Sequence, residues 1–320
     1  MIDRREIKIL VDRHLAEARE AMLPRVRKAF DNLLAERRLL GPDSANYFEA
    51  LGHPLFELPV WLAGRLNDEG VQTPDATLAD VLGISAIGYL HARAQDDWLD
   101  GTAREDPTLI ALAESLLALC NRLLASVVGS SAQFWAFYSD VLNGYAESLL
   151  HTEEFRRSQA TASRSTFEQL LAQSKPLMIP SAALLDRADR WELCPHLEEF
   201  VFTATAAAQL YNDLTDIFRD REMGQRTWTT EAVGDSELWI EMADSSQDRE
   251  GKIQERITEA LHFHQRSVQA ARRLGLTAAE DWLADRRVGL EDLPRSLRAN
   301  LRSAFVRRIT GAAAGQGGQV

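Results

Sequence analysis

Apolar residues recur along most of the chain at three- and four-residue intervals, the period of an amphipathic helix. No stretch alternates strictly between turn pairs as a strand would. The pattern predicts an all-α chain of about ten to twelve helices. Thr73-Pro74-Asp75 and Asp106-Pro107 place a capping side chain just before a helix start. Ser165 with Glu168 and Thr277 with Glu280 have capping-box spacing, and Pro24 divides the first helical hairpin. Breaks fall near Gly41-Pro42, Gly52-His53-Pro54, Gly129, Pro176 to Pro180, Cys194-Pro195 and Gly224. No Pro/Ser/Gly-rich linker separates the helices. Residues 1–309 therefore read as one helical domain, and the Gly/Ala/Gln-rich residues 310–320 as a disordered tail.

Composition narrows the function. The 320 residues carry 36 Lys+Arg against 48 Asp+Glu, a formal charge of −12. An unaided nucleic-acid binder would show a basic face, so none is expected as partner. Two cysteines, Cys120 and Cys194, make neither a disulfide framework nor a thiolate metal cage. The N-terminus is charged from its third residue, unlike a signal peptide. The stretch Val81 to Leu90 reads as the longest apolar run and is too short to cross a bilayer. The expectation is a soluble, cytoplasmic protein without stable membrane insertion. Lysine occurs only at Lys8, Lys28, Lys175 and Lys252.

Two acidic clusters carry the candidate chemistry. Asp96, Asp97 and Asp100 close the helix that opens near Asp75. Asp96 and Asp100 share a face, with Asp97 about 100° round. Like charges at that spacing repel, so the helix end is either solvated or holds a cation between its carboxylates. Magnesium takes oxygen ligands, usually one or two carboxylates plus substrate phosphates. Further on, Asn212, Asp216 and Asp220 form a ladder on one stripe, with Gln209 and Asp213 in the same arc. Arg219 falls outside that stripe on a straight helix, so no basic residue within it offsets the charge. A metal satisfies these oxygens most simply; a solvent-facing stripe is the plainer alternative.

Two aspartate-rich helices in an all-helical chain resemble the class I isoprenoid synthase family. Asp96-Asp97-Trp98-Leu99-Asp100 matches its DDxxD motif. Gln209 to Asp220 resembles the second synthase motif, QxxDDxxDxxxD, with Asn212 replacing the first aspartate. It is also similar to the cyclase motif NDxxSxxxE, with Asp216 and Asp220 replacing serine and glutamate. Gly224 to Thr227 resembles the GKxT segment, and Ser174-Lys175-Pro176 a Lys-bearing segment that touches diphosphate. Two features depart from chain-elongating synthases. The GKRxRP segment reads Gly52-His53-Pro54-Leu55-Phe56-Glu57, and the arginine pair after DDxxD reads Arg104-Glu105-Asp106. Isopentenyl diphosphate would meet carboxylates there.

The resemblance implies a helical bundle with a central apolar cavity, Mg2+ as cofactor (three ions), and a prenyl diphosphate as substrate. Asp96, Asp97, Asp100, Asn212, Asp213, Asp216 and Asp220 would hold metal. Asp96, Asp97 and Asp216 would be essential to catalysis. Lys175, Arg226 and Arg164 would bind diphosphate. Phe56, His91, Ala92, Trp98 and Tyr211 would line the cavity; Ala92 and His91, four and five residues before the motif, would leave depth for a C15 or C20 chain, or longer. The expected reaction is that of a terpene synthase: ionisation of one linear prenyl diphosphate, then cyclisation or elimination. Prenyl transfer is the alternative: chain elongation, head-to-head coupling, or addition to a non-isoprenoid acceptor. Members of the family are often homodimers.

Overall fold

The computed structural model describes residues 4–36, 54–99, 107–158, 161–222, 224, 226–233 and 247–315. Every regular element among the described residues is helical. The α-helices are α1 (Arg4–Ala21), α2 (Pro24–Glu36), α3 (Glu57–Asp68), α4 (Asp75–Leu99), α5 (Pro107–Val128), α6 (Ala132–Arg157), α7 (Arg164–Leu171), α8 (Ile179–Arg187), α9 (Cys194–Thr215), α10 (Ile217–Glu222), α11 (Trp228–Val233), α12 (Gln247–Arg273) and α13 (Glu280–Gly315). Short 3₁₀ turns span Ala172–Met178, Trp191–Leu193 and Thr277–Ala279.

Local chemistry sets most boundaries. Asp75 and Pro107 open α4 and α5, and Pro24 opens α2. The cap of α7 falls two residues earlier than its spacing predicts. Ser163 Oγ accepts from Thr166 N at 3.3 Å while Thr166 Oγ1 accepts from Ser163 N at 2.7 Å. A threonine at the third position thus closes the box as well as a glutamate does. Thr277 opens a 3₁₀ turn ahead of α13 instead of capping it. Helix α13 passes the boundary expected at 309 and ends at Gly315, because three consecutive alanines extend it readily. Residues 316–320 lie outside the described residues.

Helices α4 and α5 form an antiparallel pair at the centre: His91 meets Ala113 and Gly88 meets Cys120. Around them pack α1, α3 and α8, and the main core includes Phe30, Leu62, Leu82, Ile84, Leu112, Phe134 and Phe200. Helices α9, α12 and α13 bury a second cluster about Phe167, Leu210 and Phe263, and a third about Leu214, Ile217 and Leu293. Both α4 and α9 pack against the segment formed by the first 3₁₀ turn and α8. Both cysteines are buried and free. Val81 to Leu90 is not the most membrane-like segment. Helix α5, 22 residues, is long and apolar enough to span a bilayer by length and composition, and 33% of its apolar window is buried.

Gly83 on α4 makes room for α1. A Cβ there would meet the His14 ring at 2.7 Å, and His14 is buried. Gly83→Ala should therefore cost about 1–3 kcal/mol by overpacking, read as a fall in the denaturation midpoint. Adding His14→Ala should restore part of the loss; an unaffected single mutant would show that α1 sits further off.

Candidate active site

The final turn of α4 carries Asp96 and Asp97; Asp100 lies outside the described residues. Carboxylates here face both each other and the negative end of the helix dipole. The compensating cation comes from the same helix, one turn back. Arg93 Nη1 donates to Asp96 Oδ2 at 2.5 Å and its Nη2 donates to Asp97 Oδ1 at 3.2 Å. Sequence reading passed over Arg93, although a residue three and four places before two carboxylates shares their face. Tyr145 of α6 secures the same turn by donating its hydroxyl to Gln95 Oε1 at 3.1 Å. Burial, then the charge of Asp96, pushes the Tyr145 phenol up to about 12, so it stays neutral.

The second cluster departs from a straight ladder. Helix α9 ends at Thr215, Asp216 takes φ −94° and ψ 0°, and α10 restarts at Ile217. Backbone bonds continue through the bend, Asp216 N to Asn212 O and Asp220 N to Asp216 O, each at 2.9 Å. Asn212 faces solvent, whereas Asp213 and Asp220 are each only 4% exposed. Gln209 Nε2 donates to Asp213 Oδ1 at 2.7 Å. Contrary to expectation, Arg219 does reach the cluster. Its Nη2 lies 2.6 Å from Asp216 Oδ2 and 3.7 Å from Asp220 Oδ1, because its long side chain swings across from the flank of the stripe.

Burial pushes the Asp213 carboxyl up to about 7; the nearby charges of Asp220 and Asp216 push the same way, against Gln209 and Thr229. Burial and Asp216 also raise Asp220, with Arg219 opposing. Asp220 Oδ1 and Thr229 Oγ1 of α11 are among the buried oxygens with no hydrogen bond. Thr229 stands beside Asp213.

These oxygens fit a hard cation. Among the described residues no group of three His, Cys, Asp or Glu side chains is placed to hold an ion unaided. Magnesium asks for less, one or two carboxylates with phosphate oxygens completing the shell. An unsatisfied buried carboxylate oxygen and an unsatisfied hydroxyl suit that chemistry.

Below the first wall lies an apolar cavity of about 90 Å³ among α4, α5, α6 and the 3₁₀–α8 segment. Gly88, His91 and Ala92 line it from α4, with Cys120, Tyr138, Leu142, Tyr145, Gln173 and Pro176 around them. On α4 these positions lead up one face to Gln95 and the aspartates. The polar tips are tied off: Tyr138 donates to Asn121 Oδ1 at 2.5 Å, and His91 Nδ1–H donates to Ala113 O at 2.9 Å. Burial lowers the His91 pKa, keeping the ring neutral, and pushes the Cys120 thiol up to about 12.

Several expected positions move. Phe56 is buried in the core, and its neighbour Leu55 lines the cavity in its place. Trp98 is half-buried and Tyr211 packs on α13 beside Gly289; neither borders the cavity. A volume of 90 Å³ is far below the 300–1,000 Å³ typical of ligand sites, so the depth expected for a C15 or C20 chain is not open in this conformation.

The basic candidates separate too. Lys175 Nζ donates to Glu198 Oε1 at 3.1 Å, near the start of α9. That is about 22 Å of helix from Asp213. A 3₁₀ turn eclipses every third residue, so Gln173 and Pro176 take the cavity face and Lys175 is left off it. Arg164, 63% exposed, pairs with Glu168 at 2.9 Å on the surface. Arg226 lies just ahead of α11. Its Nε donates to Glu231 Oε1 at 2.8 Å, and its guanidinium lies 5.6 Å from the Phe155 ring centre.

No protein-family model matches the chain, and no curated protein matches it. Among solved structures it is similar to T. brucei FPPS in complex with 2-(2,5-dichlorobenzo[b]thiophen-3-yl)acetic acid. The identity is 13% and the TM-score 0.46, over 95% of this chain and 98% of that one.

The raised Asp213 pKa has a sign. Between the unfolded value near 3.8 and the folded value near 7, the folded state holds the extra proton, so stability falls as pH rises through that window. Asp213→Asn should remove this slope, gaining up to about 4 kcal/mol at pH 8 and little at pH 4. Urea unfolding at both pH values, without divalent ions, checks it; equal effects at the two would place Asp213 in water.

Proposed function

We propose that the chain ionises a linear prenyl diphosphate with the help of magnesium. The observation that carries this reading is the apolar cavity whose α4 lining, His91 and Ala92, lies one turn before Asp96 and Asp97. A greasy tail and a multiply charged head need that adjacency of apolar space and oxygen ligands.

Asp96 and Asp97 would hold metal on one side, with Asp100 beyond the described residues continuing that wall. Asp213, Asp216 and Asp220 would do so on the other, with Asn212 at the rim. Magnesium, once bound, would neutralise charge building on the departing diphosphate. Arg226 would donate to phosphate oxygens, as the Gly224 to Thr227 resemblance implies. The cavity lining excludes water, which strengthens the electrostatics above it and protects a carbocation. His91 stays neutral and offers no proton there, since its Nδ1–H is committed to Ala113.

Two fates remain for the prenyl cation. The narrowness of the cavity weighs against cyclisation in this conformation, since ring formation needs room for a folded chain. The loss of the basic residues at 52–57, and the carboxylates Glu105 and Asp106 beside Arg104, favour a single-substrate reaction, cyclisation or elimination, over addition of isopentenyl diphosphate. An assembly of two chains is supported by α5, whose apolar window is two-thirds unburied and whose Ile110 is exposed.

Incubation with individual C10 to C25 prenyl diphosphates and Mg2+, alone and with isopentenyl diphosphate, separates these outcomes by product mass. Free hydrocarbon or alcohol marks the single-substrate route, and C5 increments, doubling or adducts mark transfer. Asp97→Ala and Asp216→Ala should each abolish diphosphate release. Their melting temperatures should stay within about 3 °C of the parent, since the Arg93 and Arg219 ion pairs they break are part-exposed. Absence of diphosphate release from every substrate would overturn the proposal.

A further inference from the structure

Each acidic wall is already bridged by an arginine from its own stretch of chain. On α4 the Arg93 fork spans two carboxylates, 2.5 Å to Asp96 and 3.2 Å to Asp97. This is a partly buried arrangement, with the three side chains 28%, 32% and 16% exposed. The third donor, Nε, is buried and has no acceptor. In the second wall Arg219 lies 2.6 Å from Asp216 and 3.7 Å from Asp220, in a more open setting.

A guanidinium and a divalent ion compete for the same carboxylate lone pairs. Magnesium binds oxygen at about 2.0–2.1 Å and tolerates no hydrogen-bond donor in its place. Arg93 holds one oxygen of each carboxylate, Asp96 Oδ2 and Asp97 Oδ1, so an ion that takes those two oxygens displaces the fork. The freed side chain stays tethered one turn below, with a geometry that matches phosphate oxygens and an Nε that still lacks an acceptor.

Resting on the function proposed above, we infer that Arg93 is the resident counter-ion of the first wall: it yields Asp96 and Asp97 to the arriving metal and turns its fork to the diphosphate that the metal carries. The exchange makes metal and diphosphate bind cooperatively. Metal alone must evict Arg93 without reward, whereas metal with diphosphate gives the guanidinium a new partner. The wall has part of its negative charge offset when empty and admits the ion together with its anionic ligand.

The test uses Mn2+ as a paramagnetic substitute for Mg2+, with and without inorganic diphosphate, on the full chain. Bound Mn2+ is read by electron paramagnetic resonance and bound diphosphate by calorimetry. Arg93→Gln should bind Mn2+ alone roughly fivefold tighter than the parent, and diphosphate at saturating Mn2+ roughly fivefold more weakly. A plain diphosphate-binding arginine would change only the second affinity, and a merely structural one would change neither in this paired sense. Arg93→Lys keeps the charge and loses the fork. It should leave Mn2+ affinity within about twofold and still weaken diphosphate, which carries the test if the glutamine variant fails to fold. Unchanged or weaker Mn2+ binding by a folded Arg93→Gln, or parental diphosphate affinity in either folded variant, overturns the exchange. If the parent binds Mn2+ and diphosphate normally in those experiments, only the exchange is lost. A parent that binds neither overturns the proposed function as well.

Discussion

Negative charge crowded at the C-terminal ends of two long helices is the constraint on which the candidate site depends. Carboxylates in a last helical turn repel one another and also meet the negative pole of the backbone. Such an arrangement persists only if positive charge is close by. Arg93 and Arg219 supply it within a turn of the aspartates they serve. Asp213 meets the same difficulty by another route: burial raises its pKa to about 7, and its oxygen accepts a hydrogen bond from Gln209. The two walls thus differ in kind, one balanced by a guanidinium and the other partly by retained protons.

The rest of the fold supports that electrostatic arrangement. Helix α4 holds the first wall rigid because α1 and α5 grip it on either side, with Gly83 admitting His14 and Gly88 facing Cys120. The second wall bends at Asp216, and the bend turns Asp220 inward beneath α11 instead of leaving it on an outer stripe. Apolar packing about Leu214, Ile217 and Leu293 anchors both sides of that bend. Two aromatic side chains that line the small cavity, Tyr138 and Tyr145, are each fixed by a hydrogen bond at the tip.

Much of this was legible from residue order. Helical periodicity, the starts at Asp75 and Pro107 and the break about Pro176 to Pro180 are local properties, set by caps and prolines acting within a turn. The cavity positions His91 and Ala92 were readable as well, since helical spacing alone places them below Asp96 and Asp97. Arg93 was equally local and was missed because motif matching begins at the first aspartate and does not look a turn back. Lys175 shows the opposite error. Its segment matches a diphosphate-binding pattern, yet the 3₁₀ period takes it off the cavity face and Glu198 holds it.

Order along the chain, by itself, determined that the protein is built of helices, where most of them start, and that two of them end in aspartates. Those outcomes rest on interactions within three or four residues, which the linear sequence states directly. Only the tertiary structure decided which carboxylates are buried, that Tyr211 and Phe56 serve the core instead of the cavity, and how little room lies beneath the first wall. Burial depends on which distant helix covers a face, and cavity volume on side chains contributed by five separate segments, so neither is written in any local stretch.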